Sequence, residues 1–285
     1  MLRSAQVLVI VLLLLAVVST VSLAIVSRSV TDVSVSTTQE ESSRALAAAE
    51  AGVESALSSA VASGATQTFA NNATYTVTIL PASNGTDLIS GRGLTGGEVE
   101  TFFLGEHNSA GNLILAGSTE YNGGTITVCW GDQAAGPSTT PAVEVSLYYW
   151  NITSAKFEVV RNAYDPNSRG SFSAIDAGVA NCPVGHTFYF KKVITLAGSV
   201  ASGGLALPAS VNQQILRVRV LYNGETPNFV GIKAAAGKNF PQQGIFISST
   251  GQAGTSTRKV QLLQKYANPL PQFDNAVFSG SSLSK

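Results

Sequence analysis

Cysteines, histidines and acids carry most side-chain chemistry, and here they are few and scattered. Cys129 and Cys182 are the two cysteines, and His107 and His186 the two histidines. Counting alone allows a Cys2His2 zinc site from these four. No pair stands at CxxC or Cys/His ligand spacing, however, and two distant cysteines in an oxidising compartment most simply pair. Closing a loop of that length is worth ~4 kcal/mol in the chain-entropy picture. Two buried free thiols are the alternative. Asp132, Asp165 and Asp176 fall in loop-like sequence and are oxygen donors of the kind calcium takes. None sits in an EF-hand spacing, so they read as solvated turn aspartates. No G-x-S-x-G, phosphate loop or H-E-x-x-H is present. Gly91-Arg92-Gly93 reads as hairpin-turn chemistry. Asn72, Asn84 and Asn151 each open an N-x-Thr sequon, to which no role attaches. Tyr148-Tyr149-Trp150 would make a stacking platform for a sugar or a partner if exposed. On a strand, however, 148 and 150 face away from 149, and core packing is the default. The expectation is no enzyme, no catalytic residue, no bound metal and no cofactor.

Composition points away from several classes. The 285 residues carry 17 basic and 17 acidic side chains, so neither a nucleic-acid footprint nor an acidic tail is expected. Charged residues make up 12%, about half the usual share. Polar surface must come from Ser, Thr, Asn and Gln, which fits an extracellular or fibre-associated protein better than a cytosolic enzyme.

The strongest element is N-terminal. From Ala5 to Val26 the chain reads AQVLVIVLLLLAVVSTVSLAIV, free of charge, Gly and Pro. As helix this run spans ~33 Å, enough for a bilayer core. Its Val, Leu and Ile residues outweigh Gln6 and the Ser19-Thr20-Ser22 cluster. Arg3 precedes it, and Arg28 and Asp32 follow and cancel, which points to N-terminus in and C-terminus out. Ser22-Leu23-Ala24 resembles a signal-peptidase site, so a secreted chain with an ordinary signal is the rival. Yet the first Gly is Gly52 and the first Pro is Pro81. One helix from Ala5 to about Ala62 would be ~87 Å long. Glu40 and Glu41 stand ahead of Arg44 in the favourable helical orientation. Leu46, Ala49, Val53, Ala56 and Ala60 then form a seam of small residues that lets a helix or sheet approach closely.

A short basic start, an apolar run and an unbroken helix ending in Ala48-Ala49-Glu50-Ala51-Gly52-Val53-Glu54-Ser55-Ala56-Leu57 resemble the N-terminal region of PilX-type minor pilins of type IV pili. The resemblance covers about residues 3 to 60. Ser249-Thr250-Gly251 with Arg258-Lys259-Val260-Gln261-Leu262 resembles the final strands of such heads. The resemblance implies leader removal by a prepilin peptidase, here after Ser4, giving a mature start at Ala5. It also implies an assembly glutamate at the fifth mature position, where this chain has Val9. Tip and initiating subunits share that lack. The partners implied are other pilin subunits, met through the helix, and the lipid bilayer before assembly.

Beyond Gly64 the pattern turns to period two. ATYTVTIL (73–80), EVETFFLG (98–105), TITVCW (125–130), AVEVSLYYW (142–150) and KFEVVR (156–161) read as strands. So do HTFYFKKVITL (186–196), QILRVRVLY (214–222), GIFISST (244–250) and TRKVQLL (257–263). Gly- and Asn-rich turns separate them. The expected architecture is α+β: a leader at 1–4, a membrane helix at 5–26, its extramembrane continuation at 27–63, a β-rich sandwich-like head at 64–266 and a tail at 267–285. The expected function is a minor pilin-like subunit, single-pass in the membrane and then on the pilus or cell surface. The alternative is a β-rich adhesin or binding module at the surface.

Overall fold

A computed structural model describes residues 2–58, 61–82, 85–108, 111–115, 121–132, 140–176, 182, 186–222 and 225–268, with 2–10 and 132 in backbone only. Two compact units emerge: residues 1–80 with 246–263, and residues 81–245 with 264–285. The head expected at 64–266 is thus shared between them.

In the first unit, helix α1 runs unbroken from Leu2 to Leu57. It is ~84 Å long at 1.5 Å per residue. No glycine or proline interrupts it before Gly52, and Gly52 is tolerated because it is packed. The helix stops several residues short of the expected 62–63, because the sheet recruits the chain there. The Ser63 hydroxyl accepts from Ile79 N at 2.9 Å and donates to Ile79 O at 3.3 Å. Gly64, at φ +85°, donates to Val77 O at 2.7 Å. Ser63 and Gly64 are therefore already strand neighbours, and Ser58 closes the last helical bond on Glu54 O at 3.0 Å.

Strands β1 (Thr66–Thr68) and β2 (Thr74–Ala82) pair antiparallel, and β11 (Gly244–Ala253) and β12 (Ser256–Lys265) complete a four-stranded sheet in the order β1-β2-β11-β12. Its alternation is clean: Tyr75 and Val77 are buried, while Thr76 and Thr78 are exposed.

The second unit holds two antiparallel four-stranded sheets. One orders β3 (Asp87–Ile89), β10 (Val230–Ala234), β5 (Thr125–Asp132) and β8 (Phe188–Thr195). The other orders β4 (Val99–Phe103), β9 (Val211–Leu221), β6 (Ala142–Asn151) and β7 (Lys156–Tyr164). Both feed one apolar cluster, with Val128, Trp130 and Ile232 from the first sheet and Val145, Leu147 and Val218 from the second, all fully buried. Two of the side chains drawn inside bond to nearby backbone. Trp130 Nε1 donates to Pro141 O at 2.9 Å. The Gln243 amide accepts from Phe103 N at 2.7 Å and donates to Phe103 O at 2.9 Å, doing for β4 what a neighbouring strand would do.

All nine expected strands are present. Three more were not foreseen: β1 and β3 are three residues each, and β10 is five. β10 lies between β3 and β5 with Val230, Gly231 and Ile232 all buried, so no alternation marks it.

Cys129, on β5 and fully buried, is bonded to Cys182 across 53 residues of sequence. Replacing both cysteines by serine is expected to cost about 4 kcal/mol of stability. Chemical unfolding of the two forms measures this directly, and equal midpoints would exclude a stabilising bridge.

Candidate functional site

The disulfide uses both thiolates, so the Cys2His2 zinc alternative has lost its sulfur ligands. Among the described residues, no group of three His, Cys, Asp or Glu side chains gathers where a metal could sit. His107 lies face to face with Tyr266, centroids 3.7 Å apart, and edge-on to Phe103 at 4.6 Å. Burial among these rings holds the imidazole neutral and pushes its pKa down to about 4. His186 packs on Phe188 and Phe229 at 4.7 and 4.6 Å.

The acids also have structural employment. Asp165 is not a solvated turn residue; it is 1% exposed. Both its oxygens accept from the Arg169 guanidinium, at 2.8 and 2.9 Å, and it also accepts from Asn167 N and Arg169 N. Burial works to raise its pKa, but the Arg169 pairing and the two amides outweigh it and leave the carboxyl below its ordinary value. Arg169 in turn donates to Thr140 O at 2.7 Å and lies 4.1 Å over the Tyr222 ring, so the pair ties three loops together. Asp176 is likewise paired, accepting from Lys192 Nζ at 3.1 Å and Val193 N at 2.6 Å. Asp132 ends β5, and its side chain lies outside the described residues. In the Gly91-Arg92-Gly93 turn, Arg92 grips Glu98 through two bonds of 3.0 and 2.8 Å. That grip, with the Thr95 amide, holds the Glu98 carboxyl down at about 2.

Of the aromatic run, Tyr149 is buried and donates to Glu158 Oε2 at 2.8 Å. Tyr148 and Trp150 are half-buried on the other face, with Trp150 edge-on to Phe157 at 5.3 Å. Tyr148 and Phe157 line a cleft of about 460 Å3 with Leu113, Ile215, Ala267 and Asn268. Among the sequons, Asn151 serves its own turn, accepting from Thr153 N and Ser154 N. Asn72 is exposed at φ +61°, and Asn84 lies outside the described residues.

The arrangement with the most specific geometry is in the first unit, where α1 meets the sheet. Ala45, Ala48, Ala49, Gly52, Val53 and Ala56 are buried there. Of the expected seam, Ala49, Val53 and Ala56 are in place, but Leu46 is 42% exposed and Ala45 is buried instead. Ala60 lies outside the described residues. Small residues set the separation. A Cβ on Gly251 of β11 would overlap the Ala45 carbonyl oxygen and lie 2.6 Å from Ala49 N. A Cβ on Gly52 would overlap Ser249 Oγ and lie 2.8 Å from the Tyr75 ring. Tyr75 itself donates to Ser55 Oγ at 3.1 Å.

Polar clasps complete the contact. The Glu41 carboxylate accepts from Thr255 N at 2.9 Å and Thr255 Oγ1 at 3.0 Å, at the β11–β12 turn where Gly254 takes φ +55°. The Thr255 amide and then its hydroxyl hold the Glu41 carboxyl below its ordinary value. Arg258 Nε donates to Ser42 Oγ at 2.8 Å. The sequence missed Ala45, Gly52, Gly251 and Glu41 as a set. The available signal was the run of small residues at 45, 48, 49, 52 and 56, which the weight given to Leu46 obscured.

The N-terminal part of α1 is the opposite. Every large apolar side chain from Val11 to Val26 is 51–72% exposed. This helix is long and apolar enough to cross a membrane. Ser4, Ala5 and Val9 lie within α1, with their side chains outside the described residues. Comparison with models of known protein families, with curated proteins and with solved structures finds no match to this chain.

Two outcomes test these contacts. Gly251→Ala is expected to lose about 3 kcal/mol, since backbone atoms must move. Gly124→Ala, where an added Cβ meets nothing, should stay near wild type in the same unfolding assay. The second concerns pH. His107 titrates near 4 when folded and near its ordinary 6.5 when unfolded, so the unfolded chain takes up the extra proton between those values. Its contribution is complete above pH 6.5 and is lost as pH falls to 4. Glu98 acts lower, losing its contribution between its ordinary 4.5 and about 2. Melting temperature should therefore fall from pH 7 to pH 4.5, and His107→Phe should flatten that part of the curve; an unchanged slope counts against it.

Proposed function

We propose that this chain is a structural subunit of a type IV pilus-like filament, a minor pilin held in the membrane by α1 before assembly. One observation carries the proposal: a single helix is divided into two functional lengths. Its N-terminal length is apolar all round and bare, as a helix must be whose solvent is lipid or other helices. Its C-terminal length is lined with Ala and Gly and sealed onto a β-sheet. A simple membrane anchor has no need to continue, without a turn, as the packed spine of the domain it anchors.

Lipid tails and a bundle of neighbouring helices are both apolar surroundings, so the same face serves storage and assembly in turn. The head would lie outside the cytoplasm, where the Cys129–Cys182 bond is stable. The two sheets with a common core would form a sandwich that decorates or caps the filament. Val9 in place of an acid favours the tip or the first subunit, because such a subunit has no preceding amino terminus to pair with.

The test is the mature N-terminus, read by mass spectrometry on protein from cells that hold a prepilin peptidase. A start at Ala5 with the apolar helix retained is expected. A start near Ile25 would mean an ordinary signal peptide and a secreted β-rich module, and would sink the pilin proposal.

A further inference from the structure

The half-buried carboxylates of the second unit have donors within the chain, with one exception. Asp87, Glu98, Glu100, Glu144, Glu158 and Asp176 accept from Thr86, Arg92, Lys265, Ser146, Tyr149 and Lys192 in turn. Glu106, just beyond β4, is half-buried too. Among the described residues its carboxylate takes part in no hydrogen bond or ion pair. Backbone alone holds this segment, with Gly105 N donating to Gln214 O at 3.0 Å and Glu106 O accepting from Ile114 N at 2.9 Å. A half-buried carboxylate without a donor has lost part of its hydration and gained nothing inside the chain to replace it.

Glu106 lines a pocket of about 330 Å3 with Pro81, His107, Phe240, Pro241 and Gln242, all in the second unit. That is the lower end of the size range of small-ligand sites. Its chemistry is one-sided. Pro81 and Pro241 have no backbone N–H to donate. Gln242 Nε2 is given to the Tyr266 hydroxyl, which leaves the amide oxygen as an acceptor. The Glu106 carboxylate only accepts. No lysine or arginine is among the described lining residues. His107, held neutral by its burial, adds no positive charge, and its Nδ1 is buried with no hydrogen-bond partner among the described residues. Acceptors and one negative charge therefore stand among apolar walls, two proline rings and the Phe240 ring. The complement is a cation that only donates, carried on an apolar stem. An ammonium has three donors and no acceptor, and an aliphatic stem packs well against proline and an aromatic ring.

We propose that this pocket binds a primary alkylammonium group, with Glu106 as its counter-ion, Gln242 Oε1 as a second acceptor, and the prolines and Phe240 around the stem. A lysine side chain of a partner protein and a free alkylamine share this chemistry. The pocket belongs to the second unit alone, so it stands whether or not α1 enters a filament, and its test is independent of where the N-terminus is cut.

The experiment is NMR on the full chain in detergent micelles at pH 7, with the imidazole Cε1 carbons labelled. The chain has two histidines, so His107 reports on the pocket and His186 serves as the control. The probes are Nα-acetyl-L-lysine N-methylamide, n-butylamine and an uncharged match, Nα-acetyl-L-norleucine N-methylamide. Both amines are expected to shift the His107 signal saturably and leave His186 still, with dissociation constants of about 1–10 mM, as suits one half-exposed ion pair and a short stem. The norleucine probe should give no saturable shift. Tighter binding of the lysine probe assigns the pocket to a protein partner; equal or tighter binding of butylamine assigns it to a free amine. A His107 signal that neither amine moves, or that norleucine moves as much, overturns the pocket. Glu106→Gln removes the charge, keeps the shape and breaks no bond within the chain. It should weaken both amines at least about tenfold at an unchanged melting temperature. Undiminished binding overturns Glu106 as the counter-ion.

Discussion

At Gly251 the backbone of a strand lies directly against the backbone of α1, so near that one methyl group would strike the Ala45 carbonyl. That separation dictates the residues around it. The helix turns Ala45, Ala48, Ala49, Gly52, Val53 and Ala56 to the sheet, and at the closest approaches the sheet answers with Gly251 and Ser249. Little apolar area is buried per residue in such a contact, and direction must come from elsewhere. It comes from Glu41 on Thr255, Arg258 on Ser42 and Tyr75 on Ser55, spread along the contact so that the helix can neither slide nor roll.

The second unit solves a different problem. With so few charges in the chain, two of its buried polar side chains are served by neutral backbone: the Gln243 amide by Phe103 and the Trp130 indole by Pro141. The one deeply buried carboxylate among the described residues, Asp165, accepts at both oxygens from Arg169 and from two backbone amides. Full satisfaction is what makes such a group tolerable inside a protein, since a half-paired carboxylate would cost more than an apolar side chain in its place.

Periodicity revealed much of this. The absence of helix breakers from Ala5 onward gave the long helix, and strict alternation gave β2, β5, β6 and the other long strands. What it could not give were elements defined by neighbours. β10 is buried on both faces, and Ser63 leaves the helix because a strand takes its hydrogen bonds. The site was legible only in outline. A seam of small residues was visible, but its first member was read as Leu46 rather than Ala45, because a leucine looks more like core than an alanine does. Close packing against a backbone reverses that preference. Asp165 was misread for a related reason: its partner Arg169 stands four residues on, within the same irregular loop, where no helical spacing points to an ion pair.

The order of the chain gives the β11–β12 hairpin a further importance. The alanine face of α1 is made within the first sixty residues, but the strand that covers it at Gly251 comes almost two hundred residues later. Everything in the second unit up to Ile245 is synthesised in between. During that interval the helix has no finished sheet to rest on, and the contact that closes the first unit is among the most non-local in the molecule. Folding of this unit is therefore gated by translation of its last strands. A membrane holding the apolar end of α1 in place would shorten the search those late strands must make.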